Sequence, residues 1–326
     1  MVAKSEDNQT IDLFALGEAL VDLISTTVSD TLSEAHSYDR FMGGQPTNLA
    51  MNMALLGKRA AVAACVGEDG FGLFIKEQIG LSNVITDHLQ STAEASTSMA
   101  IITRQAQTAD FLIARGADAY LQTDLGIEVA AASSRIVHTS AFGLSREPAR
   151  STIQKALQIA RHAGGLVSLD PNYHPKIWPD TPDFPTLLED VYQYVTLSKP
   201  SLDDCYRLFG HGQDPASYAR HFLDWGCQIV ALTMGAKGLL LATSSGDLYH
   251  VQSNVIPVVD ATGAGDAFWA GFLTARLDGA NVVDAARMGQ VVAEIKLGKA
   301  GPMNQLPDSD ELRRRSEEIR YVKISA

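Results

Sequence analysis

Short unbroken apolar runs alternate with longer amphipathic ones through the first 235 residues. The runs "IDLFALG" (11–17), "AAVAACVG" (60–67), "RIVHTSAF" (135–142), "GLVSLD" (165–170), "YVTLSK" (194–199) and "CQIVALTMG" (227–235) are predicted as buried strands. Between them, "PTNLAMNMALLG" (46–57) is predicted as a helix opened by Pro46 and closed by Gly57. "GFGLFIKEQIG" (70–80) and "PARSTIQKALQIARHAG" (148–164) are further helices. Strands without polar alternation, separated by helices, predict an α/β fold with a mostly parallel sheet covered on both faces. Two regions break the rhythm. "LVDLISTTV" (20–28) and the pair "STSMAIITR" (96–104) and "ADFLIARG" (109–116) read as strands with no helix between them. They predict a small antiparallel sheet built from two excursions, about 20–40 and 96–116, placed to act as a lid.

Composition narrows the function classes. The chain of 326 residues can bury a large core. It has no linker rich in Pro, Gly or Ser and no internal repeat, so a single domain over 1–326 is expected. A net charge of −12 with no basic stripe argues against nucleic-acid and anionic-membrane partners. Any anionic ligand must then be held by local donors. Cys65, Cys205 and Cys227 lie far apart without a C-x-x-C pair, which predicts buried thiols rather than a disulfide framework or zinc site. The first ten residues lack the apolar core of a signal peptide, and no run reaches the roughly 18 apolar residues of a membrane span. A reducing, cytoplasmic setting is expected.

Open α/β sheets bind ligands at the carboxyl ends of their strands. Polar residues collect there: Glu18 and Asp22 after the first strand, Asp170 and Asn172 after "LVSL", Lys199 and Asp204 after "YVTLS", Thr233 and Gly235 after "IVAL". Taken singly, most have a bland reading. "MGGQPTNLA" (42–50) fits a tight turn as well as a ligand contact through Asn48. Asp22 fits an exposed loop acid, "DPN" a turn, and Gly235 and Gly238 an ordinary hairpin.

"VVDATGAGDAFWAGF" (258–272) is harder to dismiss, and it contains a conflict. Gly263, Ala264 and Gly265 can turn their amides toward one anion, in front of a helix expected from Ala267 onward. Asp266 should repel that anion. No G-x-x-x-x-G-K-[ST] or G-x-S-x-G occurs, and "GAGDAF" lacks the third glycine and the early position of a dinucleotide fingerprint.

Together "GGQPTN", "TMGAKG" and "DATGAGDAFWAGF" resemble, in order and spacing, the ribokinase-like (PfkB-type) carbohydrate kinases. The resemblance runs from Gly17 to about Pro307, with Ala261 where the family commonly has Thr. It implies a three-layer α/β/α sandwich with a β-sheet lid, and ATP-dependent phosphorylation of a primary sugar hydroxyl with Mg²⁺. It also resolves the conflict. The amides of 263–265 would hold the transferring phosphate, and Asp266 would face the sugar hydroxyl as catalytic base. By the same resemblance Asp22, Gly43, Gly44, Asn48 and Asn172 would bind sugar, and Thr233, Gly235 and Gly238 the nucleotide. Asp260 and the backbone at Thr262 would hold a monovalent cation, K⁺, with the loop 296–305. Where many members carry Asn-x-x-Glu for the metal, "KPSLDD" offers Ser201 and Asp204, which implies a contact of Asp204 to Mg²⁺ through water. The "GG-x-P-x-N" and "DPN" patterns resemble the fructokinase branch, with His174 where Arg is usual. A kinase for another polyol, an inositol- or nucleoside-like substrate, or a non-catalytic sensor on the same fold are the alternatives. Monomer and homodimer are both open.

Overall fold

Apolar runs predicted from the sequence become strands of one large sheet in the computed structural model, which describes residues 10–104, 110–178, 184–299, 301 and 303–324. In chain order the first half is β1 (Leu13–Leu16), β2 (Leu20–Val28), β3 (Tyr38–Gly43), α1 (Gln45–Leu55), β4 (Ala60–Gly67), α2 (Gly70–Gly80), β5 (Ile85–Thr92), β6 (Met99–Arg104), β7 (Phe111–Ala114), α3 (Leu125–Ser133), β8 (Ile136–Ser140) and α4 (Ala149–His162). The second half is β9 (Leu166–Asp170), α5 (Phe184–Tyr192), β10 (Leu197–Ser198), α6 (Leu202–Phe209), α7 (Pro215–Asp224), β11 (Ile229–Thr233), β12 (Leu239–Thr243), β13 (Leu248–Val251), α8 (Ala264–Leu277), α9 (Val282–Leu297), α10 (Ser309–Glu318) and β14 (Tyr321–Ile324).

The large sheet has the order β14-β13-β12-β11-β10-β9-β8-β1-β4-β5. Its pairs from β11 through β5 are parallel, and the edge β11-β12-β13-β14 is antiparallel. β1 and β4 are buried at every position, as expected for central strands with helices on both sides. One apolar cluster joins Phe14, Ile153, Tyr192 and Phe222 on one face, and a second joins Leu13, Met53, Trp269 and Phe272 on the other. The layers are therefore helix, sheet, helix.

The helix-free strands form a separate sheet of order β3-β2-β6-β7. Its outer pairs are antiparallel, but the central pair β2 and β6 is parallel, which corrects the expected all-antiparallel arrangement. The reason is connectivity: β2 and β6 each begin an excursion from the same end of the main sheet, so both leave in one direction. The first excursion extends to Gly43, and residues 105–109 of the second lie outside the described residues. Thr97, just before β6, is tied to Asp69 at the start of α2 through its amide (2.7 Å) and hydroxyl (2.8 Å). All three cysteines are buried and free. No helix among the described residues is long and apolar enough to cross a membrane.

Candidate active site

α8 starts three residues earlier than expected, at Ala264, so Gly265 and Asp266 stand in its first turn. Gly263 precedes it with φ +74°, a left-handed conformation that glycine adopts without strain. No side chain caps this helix. Contrary to the expectation for Ala264, its amide donates to Ala261 O (3.2 Å), while the amides of Gly265 and Asp266 have no acceptor among the described residues and remain for an external one at the positive end of the helix.

Asp266 is buried, and its carboxylate accepts a hydrogen bond from Asn48 Nδ2 at 3.0 Å. Asn48 lies in the first turns of α1, which Gly43 and Gly44 lead into. Asp22, on β2 of the small sheet, stands directly over Gly43. A Cβ there would lie 2.3 Å from Asp22 Oδ2. Burial, and then the charge of Asp266, push Asp22 up to about 7. Burial first and Asp170 second push Asp266 up to about 7, against the pull of Lys199 and Asn48. Asp22 lines a pocket with Phe41, Asn48, Asn52, Asp260 and Thr262, and Asn48 links that pocket to the Asp266 carboxylate.

Glu18 organises the turn beneath them. Its backbone oxygen accepts from Thr47 Oγ1 (2.9 Å), and its carboxyl accepts from the Gln45 amide (3.0 Å) and Ser140 Oγ. Burial pushes Glu18 up to about 8. A buried polar chain fixes the Gln45 side chain. Trp269 Nε1 donates to Ser168 Oγ (2.8 Å), which lies 2.8 Å from His138 Nδ1, and His138 Nε2 lies 2.8 Å from Gln45 Oε1. Burial and the Lys199 charge hold His138 down to about 3, so the ring is neutral. The neutral ring donates through Nε2 to the Gln45 carbonyl and accepts from Ser168 through Nδ1. Gln45 Nε2 is buried without a well-formed hydrogen bond among the described residues, yet it stands near enough to Asp266 to help hold that carboxyl down.

On the other side of α8, the Lys199 ammonium makes a buried ion pair with Asp170 at 2.8 Å. It also faces Gly265, where a Cβ would lie 3.2 Å from Nζ. Lys199 belongs to the segment between β10 and α6, so a cation sits beside the open helix end. Asp204 has three donors: Tyr173 N (2.8 Å), Ser201 N (2.8 Å) and Ser201 Oγ (2.6 Å). Ser201 in turn accepts from Asp204 N, completing a capping box for α6. Thr233 ends β11 and pairs with Ser201 across an isolated bridge. The turn after it holds Gly235 and Gly238 at φ +58° and +81°. A Cβ at Gly238 would sit 2.1 Å from Val251 O, so this turn tolerates only glycine there. Asn172 is exposed in a left-handed turn (φ 36°), its amide on Asp170 Oδ1, and it does not join Asp22 and Asp266.

The Asp260 carboxylate accepts from Thr262 N (3.0 Å) and Gly301 N (3.1 Å). Burial alone would raise it; the Thr262 amide and the nearby Lys296 ammonium hold it below the usual range. The loop expected at 296–305 begins as helix: Lys296 is in the last turn of α9, and Ala300 and Pro302 lie outside the described residues.

Comparison with known proteins places this geometry. The family model for pfkB family carbohydrate kinases matches residues 10–309. The chain belongs to that family. It is an ATP-dependent carbohydrate kinase, and pfkB kinases use ATP with a divalent metal. An ATP-dependent 6-phosphofructokinase of Thermoanaerobacterium thermosaccharolyticum is 32% identical over 94% of both chains. A fructokinase of Klebsiella pneumoniae is 28% identical over 93% of this chain and 98% of its own. Among solved structures, Halothermothrix orenii fructokinase is 34% identical with a TM-score of 0.76, covering 90% of this chain and all of that one. In this pfkB chain, the resemblance carried by its motifs pointed to Asp22, Asn48, Asp260 and Asp266. It assigned no role to Gln45, Lys199 or Lys296, although Lys199 follows a strand end, where a cation could have been suspected.

Proposed function

We propose that this carbohydrate kinase transfers the γ-phosphoryl group of ATP to a primary hydroxyl of a neutral hexose, with fructose the first candidate. The observation that carries the reading is the pairing of buried Asp266 with the uncapped end of α8. Asp266 accepts the hydroxyl proton through its carboxylate. The sugar oxygen then bonds to the γ-phosphorus as the bond to the ADP oxygen breaks. The amides of Gly265 and Asp266 and the Lys199 ammonium take up the charge on the transferring group. Asn48 holds the base in line. Asp22 accepts the other sugar hydroxyls, and the Thr233–Gly238 turn lies where a nucleotide passes the carboxyl end of β11. A carboxylate at about 7 is matched to proton transfer near neutral pH.

Among the described residues, no group of three His, Cys, Asp or Glu is placed to hold a metal. This fits Mg²⁺, which keeps its waters and binds mainly through substrate phosphates. Asp204, already holding three donors, would reach it through water. The metal would offset phosphate charge. The small sheet carries Asp22 over the site and is read as a lid that excludes water when sugar binds.

A second reading, phosphorylation of a sugar phosphate, is favoured by the 6-phosphofructokinase relative. The pocket argues against it. The cation lining it is Lys296, already paired with Asp260, while Asp22 adds negative charge. A bound phosphate ordinarily recruits Arg or Lys. ADP release should be measured with fructose, fructose 6-phosphate, aldoses, polyols and nucleosides. A higher kcat/KM for fructose than for fructose 6-phosphate supports the proposal, and the reverse order overturns it.

A further inference from the structure

We infer that the Lys296 ammonium is a tethered replacement for the monovalent cation, so that this kinase works without K⁺. The resemblance to the family led to an expected cation beside Asp260 and Thr262. The oxygen atoms meant for it are present, but they surround a lysine. Lys296 Nζ lies 3.2 Å from Asp260 Oδ2, 3.4 Å from Asp260 O and 3.4 Å from Lys299 O. A carboxylate and two backbone carbonyls from separate segments are the hard oxygen donors a K⁺ ion takes. Here the three donors of an ammonium fill that role. The side chain is 6% exposed, so it is no surface lysine resting on a convenient acid. An ion pair on a helix surface would need only the carboxylate. The two carbonyls mark a cage.

The position explains what the charge does. Asp260 ties together Thr262 N, just before the helix end, and Gly301 N, beyond α9. Val259 N also donates to Leu297 O (2.8 Å), docking the end of α9 against the same segment. Lys296 Cε lies 3.8 Å from where a Cβ on Gly263 would stand. Removing the ammonium would leave the Asp260 carboxylate and two carbonyls facing one another beneath Gly263. Their repulsion would misalign the first-turn amides of α8. Lys296 is thus a positioning residue, acting on the phosphate through Asp260 and Gly263.

This inference rests on the kinase reading for its rate arm but not for its binding arm. Wild-type enzyme and the variants Lys296→Ala and Lys296→Met are compared in K⁺ and in tetramethylammonium at equal ionic strength. The wild type should show equal rates and equal thermal midpoints in both salts. Lys296→Ala opens a space beside a carboxylate that keeps its two amide donors but has lost its counter-charge. In tetramethylammonium its kcat should fall roughly tenfold to a hundredfold, the loss expected for a charge-assisted contact. K⁺ should restore most of that rate, and should raise the thermal midpoint of this variant by about a few degrees as a bound ligand does. Lys296→Met fills the space without charge and should be slow in both salts. Wild-type activity or stability that depends on K⁺ would overturn the inference, even if neither variant folds. So would a folded Lys296→Ala enzyme that K⁺ neither accelerates nor stabilises. The midpoint needs no turnover, so a wild type inactive on every sugar, together with a K⁺-stabilised Lys296→Ala protein, would sink the substrate proposal and leave the cation inference standing.

Discussion

Gly43→Ala adds one methyl group at a position where the backbone tolerates it and the neighbouring side chain does not. The new Cβ would lie 2.3 Å from Asp22 Oδ2, 2.5 Å from its Cγ and 2.7 Å from Oδ1. Ordinary carbon–oxygen contact needs more than about 3.4 Å, so the carboxylate must retreat by roughly 1 Å or rotate away. Asp22 faces the pocket, so the chain can yield without unfolding. The cost then falls on sugar binding, and misplacement by about 1 Å can cost on the order of 10²-fold in rate. Steady-state kinetics should show kcat/KM for the sugar falling by about that factor, with KM for ATP nearly unchanged. A double-mutant cycle isolates the cause. If the methyl acts through Asp22, adding Gly43→Ala to Asp22→Ala should bring little further loss. A Gly43→Ala enzyme within about threefold of wild type in kcat/KM, far short of that loss, would refute the role given to Asp22. So would losses that add in full.

Three further outcomes follow from the site. Glu18, Asp22 and Asp266 all have folded-state values raised above their ordinary ones, so the native protein holds more protons than the unfolded chain between about pH 4 and 8. Stability should therefore fall as pH rises through that window. Asp266→Asn should be more stable than wild type above pH 7, by at most roughly 4 kcal/mol. That gain should vanish near pH 4, and a pH-independent difference in thermal midpoint would contradict it. Asp204→Asn keeps one acceptor oxygen for the α6 cap but sets its NH2 against the Tyr173 amide, so it should lower the thermal midpoint by about a few degrees as well as raise the Mg²⁺ needed for half-maximal rate; an unchanged Mg²⁺ dependence would leave Asp204 as a cap only. Saturating sugar should slow amide exchange in β2–β3 and β6–β7 together, and a response in neither would remove the lid.

Much of the fold was legible because buried parallel strands are uniformly apolar, and β1, β4, β8, β9 and β11 stand within the predicted runs. The direction of β2 against β6 was not, since alternation along a strand says nothing about which neighbour it meets. The residues of the site were legible one at a time, and their union was not. Asn48 and Asp266 are 218 positions apart and hydrogen-bonded, a contact no local pattern encodes. In the sequence Lys296 reads only as the first residue of the loop 296–305. Only the folding of Asp260 and Lys299 around its ammonium gives it a different part. Ser201 and Asp204 were seen as a weakened metal motif, and the structure shows the same pair capping α6.

The central claim is that Asp266 takes the proton from the sugar. Its direct test is the single-turnover rate of sugar-dependent ADP formation by Asp266→Asn, with sugar and ATP affinities measured alongside. Asn can still accept from Asn48, so binding should change little while the chemical step slows by about 10²–10⁴-fold, the usual contribution of a general base. A variant that binds both substrates and retains more than about a tenth of the wild-type rate, above that range, would contradict the account.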